Sequence, residues 1–415
     1  MTARKIIRVV SCNFERNGRS DYDTWLTMYQ RLAALRPAVL CRQENPGHAR
    51  TGAGRLLFNE SQRILGLAGE LGPGLGTDAL YYDQEVFEQL TVWETACPAW
   101  PLPPVAMTLR LRGTEDVDLV AACTRLSYNS PHLRAVQAGD VTRFADRVEP
   151  CKTGAGTADR KLPVLAIGQD CNSYVDPPRL VPGETPVPEL ADIKDPQHRA
   201  HRSYETAPGL RVMDSLADRT LLAAELEDAA RHAALLPGGP GLRAVAPTVD
   251  ASPTHGPAHR VDRIYTSRML LPAVINAEVI DMKGLSDHHT VMVAFDRDVI
   301  VDIHRTTFAT TASLHRTDQG PRNASTLPSP PPDPAPAPLS FETVATKEVR
   351  RPSAGRSRAI RRAWSVTRRP SLVASVSQPT GAGGGSGAGE ARADALRGPW
   401  SVRCRRAVGE NGVRW

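Results

Sequence analysis

Five short polar clusters in this chain each close an apolar run, and their residue types are those that bind hard metal ions and move protons. The first run ends in Ser11-Cys12-Asn13, the second in Leu40-Cys41-Arg42-Gln43-Glu44. A third ends in Ile167-Gly168-Gln169-Asp170-Cys171-Asn172-Ser173-Tyr174. The last two clusters are Val261-Asp262-Arg263-Ile264-Tyr265 and Leu285-Ser286-Asp287-His288-His289. Side chains two apart on a strand share a face, so Asp170 and Asn172 can address one site. Carboxylates and amides at strand ends suit Mg²⁺, a hard ion that takes oxygen ligands and keeps several waters. An Asp and a His together can serve as an acid/base or phosphate-binding pair. Each cluster alone has a simpler reading: Asn13 or Glu44 as a turn or cap residue, Asp-x-Asn as a turn. Five in this order carry weight that none has singly. His198 and His201 lie in a polar stretch without a third ligand and are read as solvated, and Gly66–Gly76 lacks the strand-turn-helix context of a phosphate loop.

The elements that must hold these clusters are mostly strands. Runs rich in β-formers and bounded by turn residues predict strands over Ile6–Phe14, Ala38–Glu44, Ala79–Asp83, Val105–Leu111, Val117–Leu126, Leu162–Asn172, Val261–Thr266, Ala273–Ile280 and Thr290–Phe295. Helical periodicity covers Tyr22–Leu35, His132–Val148 and Leu216–Leu236. Ser20 and Asp21 are cap candidates for the first helix, and Pro37 stops it. Strands that often follow one another directly argue against a doubly wound parallel sheet. They predict an α/β fold: a four-layer sandwich of two mixed β-sheets flanked by helices.

The order Asn, Gln-Glu, Asp-x-Asn-Ser, Asp-Arg-Ile-Tyr, Ser-Asp-His resembles the endonuclease/exonuclease/phosphatase superfamily, over roughly residues 5–297. That superfamily includes apurinic-site endonucleases, pancreatic-type DNases, neutral sphingomyelinases and inositol-polyphosphate phosphatases. Ser286-Asp287-His288 and Gln169-Asp170-Cys171-Asn172 carry the resemblance most specifically, with Gln169 where the family usually has Gly. The resemblance implies a catalytic Mg²⁺ (or Mn²⁺) bound by Glu44 with help from Asn13, and Asp287 near the metal or its water. It implies Asp170 as the group that orients or deprotonates the attacking water and Asn172 as a donor to the scissile phosphate. Asp262 would orient His288, which would contact that phosphate and offset its growing charge. Many members present a His in a Thr-His-Leu pattern after the middle strand; this chain reads Cys123-Thr124-Arg125-Leu126. Arg125 cannot shuttle a proton but can clamp a phosphate through its planar fork. It is expected in the cleft near Asp170 and His288, with Tyr128 and His132 as alternatives for the missing His.

Composition narrows the rest. Residues 301–415 contain 18 Lys+Arg and 8 Asp+Glu, a balance of +10, against 33 and 37 in residues 1–300, a balance of −4. The basic pI therefore belongs to the C-terminal third, and the catalytic part lacks the basic stripe that nonspecific DNA binding needs. That tilts the substrate toward a small or headgroup phosphate ester, with nucleic acid still open. Only six of the 51 basic residues are lysines, and the arginine load is read as a coding bias rather than a phosphate footprint. Ser329–Pro338 is Pro-rich, Gly381–Gly389 is Gly-rich, and Arg350–Arg369 between them has few large apolar residues. The expected organisation is an endonuclease/exonuclease/phosphatase domain over 1–300 and a Pro/Gly/Arg-rich disordered tail over 301–415. Seven scattered cysteines form no C-x-x-C pair and predict reduced thiols, four of them (12, 41, 123, 171) in or beside apolar runs. No signal-peptide core and no run near the ~20 apolar residues of a membrane span are present, so a cytoplasmic monomer is expected. The function expected is divalent-metal-dependent hydrolysis of phosphate esters. The alternatives are a catalytically weakened phosphate- or nucleic-acid-binding member of the same fold, and an interaction protein driven by Arg350–Arg369.

Overall fold

The computed structural model describes residues 5–317 apart from 75–76 and 154–155, with side chains described except in 151–158 and beyond 307. The strands, numbered along the chain, are β1 (Ile6–Asn13), β2 (Val39–Gln43), β3 (Ala68–Leu71), β4 (Ala79–Tyr82), β5 (Phe87–Val92), β6 (Val105–Leu111), β7 (Asp118–Arg125) and β8 (Val148–Thr153). They continue as β9 (Gly156–Lys161), β10 (Val164–Asp170), β11 (Ser203–Ala207), β12 (Leu210–Met213), β13 (Leu226–Asp228), β14 (Asp262–Ser267), β15 (Val274–Ile280) and β16 (Thr290–Asp296). One six-stranded sheet has the order β15-β16-β1-β2-β4-β3, the other β13-β14-β10-β7-β6-β5; β8-β9 and β11-β12 are separate hairpins. Each large sheet centres on a parallel pair, β1/β2 and β10/β7, with antiparallel neighbours outside it.

A parallel pair needs a crossover, and the sequence supplies helices for both. The first, Tyr22–Ala34, starts where the Asp21 side chain accepts from the Asp23 backbone N–H and buries Trp25, Met28, Tyr29 and Leu32 on one stripe. The second, Pro131–Val141, starts where Ser130 Oγ accepts from Leu133 N–H, with Pro131 at its first position, where a missing N–H costs nothing. Strand alternation sorts the apolar residues into three layers of core. Val9, Cys41, Leu80, Met107, Ala121, Cys123 and Leu165 fill the space between the sheets. Val10, Leu40 and Tyr81 meet Trp25, Met28 and Phe58 on the outside of one sheet. Val120, Ala122 and Ile167 meet Ala138, Val141 and Leu221 outside the other. The four-layer sandwich predicted from the strand pattern is the fold.

All nine predicted strands are present. The helix predicted over Leu216–Leu236 is instead a helix over Leu216–Ala223, strand β13, and a second helix over Ala229–Ala234. Glu225 adopts φ +59° between them, so the chain turns, and Leu226–Asp228 pairs with β14; edge pairing overrides a continuous helical pattern. The helix predicted over His132–Val148 ends at Val141 and continues as a 3₁₀ turn, Thr142–Asp146. The helix Gly52–Leu65, not among those predicted, starts after Thr51, whose side chain makes no cap hydrogen bond. Another helix, Arg297–Thr317, runs across residue 300. The Pro-, Gly- and Arg-rich segments of the expected tail lie outside the described residues. Cys12, Cys41, Cys123 and Cys171 are buried free thiols. Among the described residues no helix is long and apolar enough to cross a membrane.

The last helix bears on where the domain can be cut. Ile300, Val301 and His304 are buried, the first two in the layer between the sheets. Truncation after Asp296 is expected to lower the melting temperature markedly, since burying each such aliphatic side chain contributes about 1.5–3 kcal/mol. An unchanged thermal melt would show that this helix does not help hold the sandwich together.

Candidate active site

The C-terminal ends of the four central strands meet at one edge of the sandwich, the usual place for sites in parallel sheets. Asn13 ends β1, Glu44 follows β2, Arg125 ends β7 and Asp170 ends β10. Asp262 opens β14, and His288 stands two residues ahead of β16. Asn13 and Glu44 come from one sheet, Arg125, Asp170 and Asp262 from the other, so the site exists only where the sheets touch.

Gly168 sets that closeness. A Cβ at this position would lie 2.5 Å from Cys41 Cβ, 2.6 Å from Cys41 Sγ and 3.0 Å from Ser11 Oγ. Two residues on, the gap is narrow enough for Asn13 Nδ2 to donate across it to Asp170 Oδ2 at 3.0 Å. Gly168→Ala is expected to destabilise the fold by about 1–3 kcal/mol, as overpacking does, and to lower turnover by parting Asn13 from Asp170. A melt and a rate equal to wild type would show that the two sheets can separate here without consequence.

Two site residues sit in the left-handed region, Glu44 at φ +58° and Asn172 at φ +49°. Asn tolerates that conformation; Glu rarely adopts it, and such outliers gather at functional positions. The turn directs Glu44 back over the strand end. Its Oε2 accepts from the Arg16 backbone N–H at 2.9 Å, and its Oε1 lies 2.8 Å from an Arg125 nitrogen and 3.5 Å from Asn13 Nδ2. Arg125 Nε is also 3.4 Å from Asp170 Oδ2, within ion-pair distance but not aligned for a hydrogen bond.

Asp170 is buried and held from several sides. Its Oδ1 accepts from Asn172 N–H at 3.0 Å, and its Oδ2 from Asn172 Nδ2 at 2.9 Å and from Asn13. Burial opposes its ionisation, but His288, Arg125 and Arg202 outweigh that and hold the carboxyl below the ordinary range. The second hydrogen of Asn172 Nδ2 goes to Leu126 O at 3.0 Å, and its Oδ1 accepts from Arg202 at 3.1 Å. The Asn172 amide is therefore fully engaged in fixing Asp170; donation to a phosphate requires one of these bonds to break.

His288 Nδ1 is 2.8 Å from Asp262 Oδ2. Thr248 Oγ1 accepts from the backbone N–H groups of both Val261 and Asp262 and fixes the start of β14. Ser286 ties the His288 loop to β1: its Oγ donates to Asn13 O at 3.1 Å and accepts from Glu15 N–H and His288 N–H. Burial disfavours the charged imidazole, yet Asp262, with Asp170 and Asp287 adding to it, pushes His288 up to about 10. The proton of the pair rests on the imidazole, because these carboxylates favour its charged form.

One ligand atom each from Asp170, Asp262 and His288 lies within 4.8 Å of the others, a group that can hold a metal ion. The donors that fit a hard divalent cation better are on the Glu44 side. There, two carboxylates, Glu44 and Asp170, are joined through Asn13, whose Oδ1 is buried without a hydrogen-bond partner among the described residues. An imidazolium, by contrast, has no lone pair to offer. Asp287 is exposed and lines an open cavity of about 440 Å³ with Glu15, Arg19 and Asp21. It stands at the rim rather than among the buried groups.

Of the residues singled out in the sequence, Asn13, Glu44, Arg125, Asp170, Asn172, Asp262 and His288 come together. Gln169 faces away from the site, since Gly168 and Asp170 on either side of it point between the sheets. Tyr128 is exposed with its ring 6.0 Å from that of His201, and His132 is exposed on its helix. His198 is half-buried rather than fully solvated: it stacks on His255 at 4.3 Å, and burial pulls it down to about 3. Sequence reasoning missed Arg202, which binds both the carbonyl and the side-chain oxygen of Asn172. It also missed Arg134, fully buried against Asp214 at 2.7 Å, the buried Arg231, Arg260 and Arg263, each paired with a buried carboxylate, and Arg42, buried on the Cys12 and Gln43 carbonyls and Asn17. These arginines are structural parts, which a reading of arginine as coding bias hides.

No family model and no curated protein matches the sequence. Among solved structures the chain is similar to the AP endonuclease from Archaeoglobus fulgidus, at 14% identity over 70% of this chain and 99% of that one, with a TM-score of 0.46. It is similar to the human Nocturnin catalytic domain, solved with a bound sulfate anion, at 17% identity over 71% and 96%, TM-score 0.42. It is also similar to the 3'-5' exonuclease NExo from Neisseria meningitidis, at 14% identity over 70% and 100%, TM-score 0.43. These are proteins of the endonuclease/exonuclease/phosphatase-type fold. The architecture of this chain rests on its own sheet order and register.

Proposed function

We propose that the protein is a divalent-metal-dependent phosphoesterase whose site is built from Asn13, Glu44, Asp170, Asn172, Asp262 and His288. The observation that carries the reading is the hydrogen bonding of Asn13 to both Glu44 and Asp170 beside a charged His288–Asp262 pair. Glu44 and Asn13 Oδ1, with Asp170, would hold Mg²⁺ or Mn²⁺, which when bound polarises a phosphoryl oxygen. Asp170, ionised and oriented by Asn13 and Asn172, accepts the proton of the attacking water. His288, fixed by Asp262, presents an imidazolium to the developing phosphate charge and can protonate the leaving oxygen. Asp287, at the rim, would order solvent around the ion. Arg125 is engaged with carboxylates and acts as a phosphate clamp only once released from them.

That engagement favours a second reading, a weakened member that binds phosphate without turnover, since Arg125 occupies Glu44. Turnover of bis(p-nitrophenyl) phosphate with and without Mg²⁺ separates the two, followed by a screen against plasmid DNA, phosphoinositides and nucleotides. Within the enzyme reading, Glu44→Gln removes an anionic hard ligand and is expected to shift the Mg²⁺ activation curve to higher concentration. An unchanged titration would take Glu44 out of the metal shell.

A further inference from the structure

Asp78 is a buried carboxylate for which the proposed mechanism has no use. It immediately precedes β4, and Arg42 pairs with Ala79 in register, which sets Asp78 beside the end of β2 where Gln43 leads into Glu44. By strand alternation it shares a face with Leu80 and Tyr82, both in the layer between the sheets. Arg125 ends β7 on the same inner layer, two residues after Cys123. Asp78 is 0% exposed, and neither of its oxygens has a hydrogen-bond partner among the described residues. Burying a carboxylate with nothing to bind is costly, and a cation brought against Asp78 would relieve that cost.

Arg125 is the cation placed to become that partner. In this structure its guanidinium reaches Glu44 Oε1 at 2.8 Å and stands 3.4 Å from Asp170 Oδ2, while its Nε has no aligned acceptor. It therefore offsets part of the charge of the two carboxylates that the metal reading needs. A divalent ion cannot take Glu44 Oε1 at full strength while Arg125 holds it.

We infer that Arg125 and Asp78 form an exchange pair: Arg125 caps Glu44 when no metal is bound and moves onto Asp78 when a divalent cation takes Glu44. Asp78 as a further ligand of the same ion is the competing account. The comparison of Asp78→Asn in the two Arg125 backgrounds, given below, separates that account from the exchange. Consistent with the exchange, burial raises the Asp78 carboxyl to about 7, and Arg125 is the main charge drawing it back.

The inference rests on the metal site proposed above, and the test separates the two. Mn²⁺ binding to the full chain is measured by calorimetry and by electron paramagnetic resonance of free Mn²⁺. The proteins are wild type, Arg125→Gln, Asp78→Asn and the double variant, each checked for folding by thermal melt. Arg125→Gln is expected to tighten Mn²⁺ binding about tenfold or more, because a competing cation is gone. Asp78→Asn is expected to weaken it about tenfold when Arg125 is present, but less than about threefold in the Arg125→Gln background, the non-additivity of residues acting as a unit. Equal effects of Asp78→Asn in both backgrounds would mean that Asp78 acts on the ion directly and would overturn the exchange. So would an Arg125→Gln variant that binds Mn²⁺ no more tightly than wild type. Absence of saturable Mn²⁺ binding in every variant removes the metal reading and the exchange together, an outcome distinct from binding that ignores Arg125. If Arg125→Gln does not fold, Arg125→Lys supplies the comparison: it keeps the charge, loses the fork, and is expected to tighten Mn²⁺ binding to a smaller degree.

Discussion

Asp170→Asn is expected to leave a folded protein whose phosphoesterase turnover falls by about a hundred- to ten-thousand-fold, the range that a positioned general base contributes. The substitution preserves shape and removes charge. It also turns an acceptor that takes hydrogen bonds from Asn13 and Asn172 into an amide with donors of its own, so one of those contacts becomes donor against donor. Asp170 is the position where the two sheets meet beside Glu44 and His288, and three fixed donor hydrogens orient its carboxylate. Turnover near wild type in a variant with normal circular dichroism would remove Asp170 from the chemistry.

The second large effect concerns His288 and takes the form of a pH profile. With its value raised from 6.5 to about 10, the imidazole stays protonated through neutral pH, and turnover that depends on it is expected to persist into the alkaline range and decline toward pH 10. Asp262→Asn removes the main cause of that elevation. Activity should fall by about a hundredfold or more, and the alkaline limb should move down toward the ordinary histidine range. His288→Ala should abolish the limb altogether. The sign for stability follows from the same shift. A group whose value is raised on folding contributes stability that is fully present below its ordinary 6.5 and disappears as pH rises through about 10. Alkaline titration should therefore destabilise wild type more than His288→Ala over that window. An identical alkaline limb in wild type and Asp262→Asn would show that the pair does not set the protonation of the site.

Much of the site is legible in the sequence because its residues adjoin strands. A β-run that ends in a polar cluster announces both its element and its chemistry, as at Asn13, Glu44 and Asp170; Asp262 and His288 stand out by residue type, but they lie at the starts of β14 and β16 rather than at strand ends. Arg125 was placed by its position after an apolar run, and it does lie among them, although paired with Glu44 and Asp170. What could not be read is long-range pairing. Asp78 looks like a turn residue until β4 is set against β2, and Arg202 looks like one of many surface arginines until its loop folds over Asn172. The broken helix after Leu216 failed for the same reason: Leu226–Asp228 becomes a strand only because β14 offers it an edge. Asn172 shows the limit of reading by analogy, since an amide expected to serve the phosphate spends its donors on Asp170 and Leu126.

The pairing of β1 with β16, from Ile6 opposite Asp296 to Ser11 opposite Val291, also governs how the protein is made. The strand that carries Asn13 precedes the other strands of both sheets, yet one of its two neighbours comes almost three hundred residues later. Contacts of such sequence separation form slowly, and domains assemble as units behind the ribosome. The first sheet therefore waits, open along one edge of β1, until the chain beyond His288 has emerged. The nascent protein has no complete site at any earlier stage, so the hydrolase proposed here acquires its activity in a single late step.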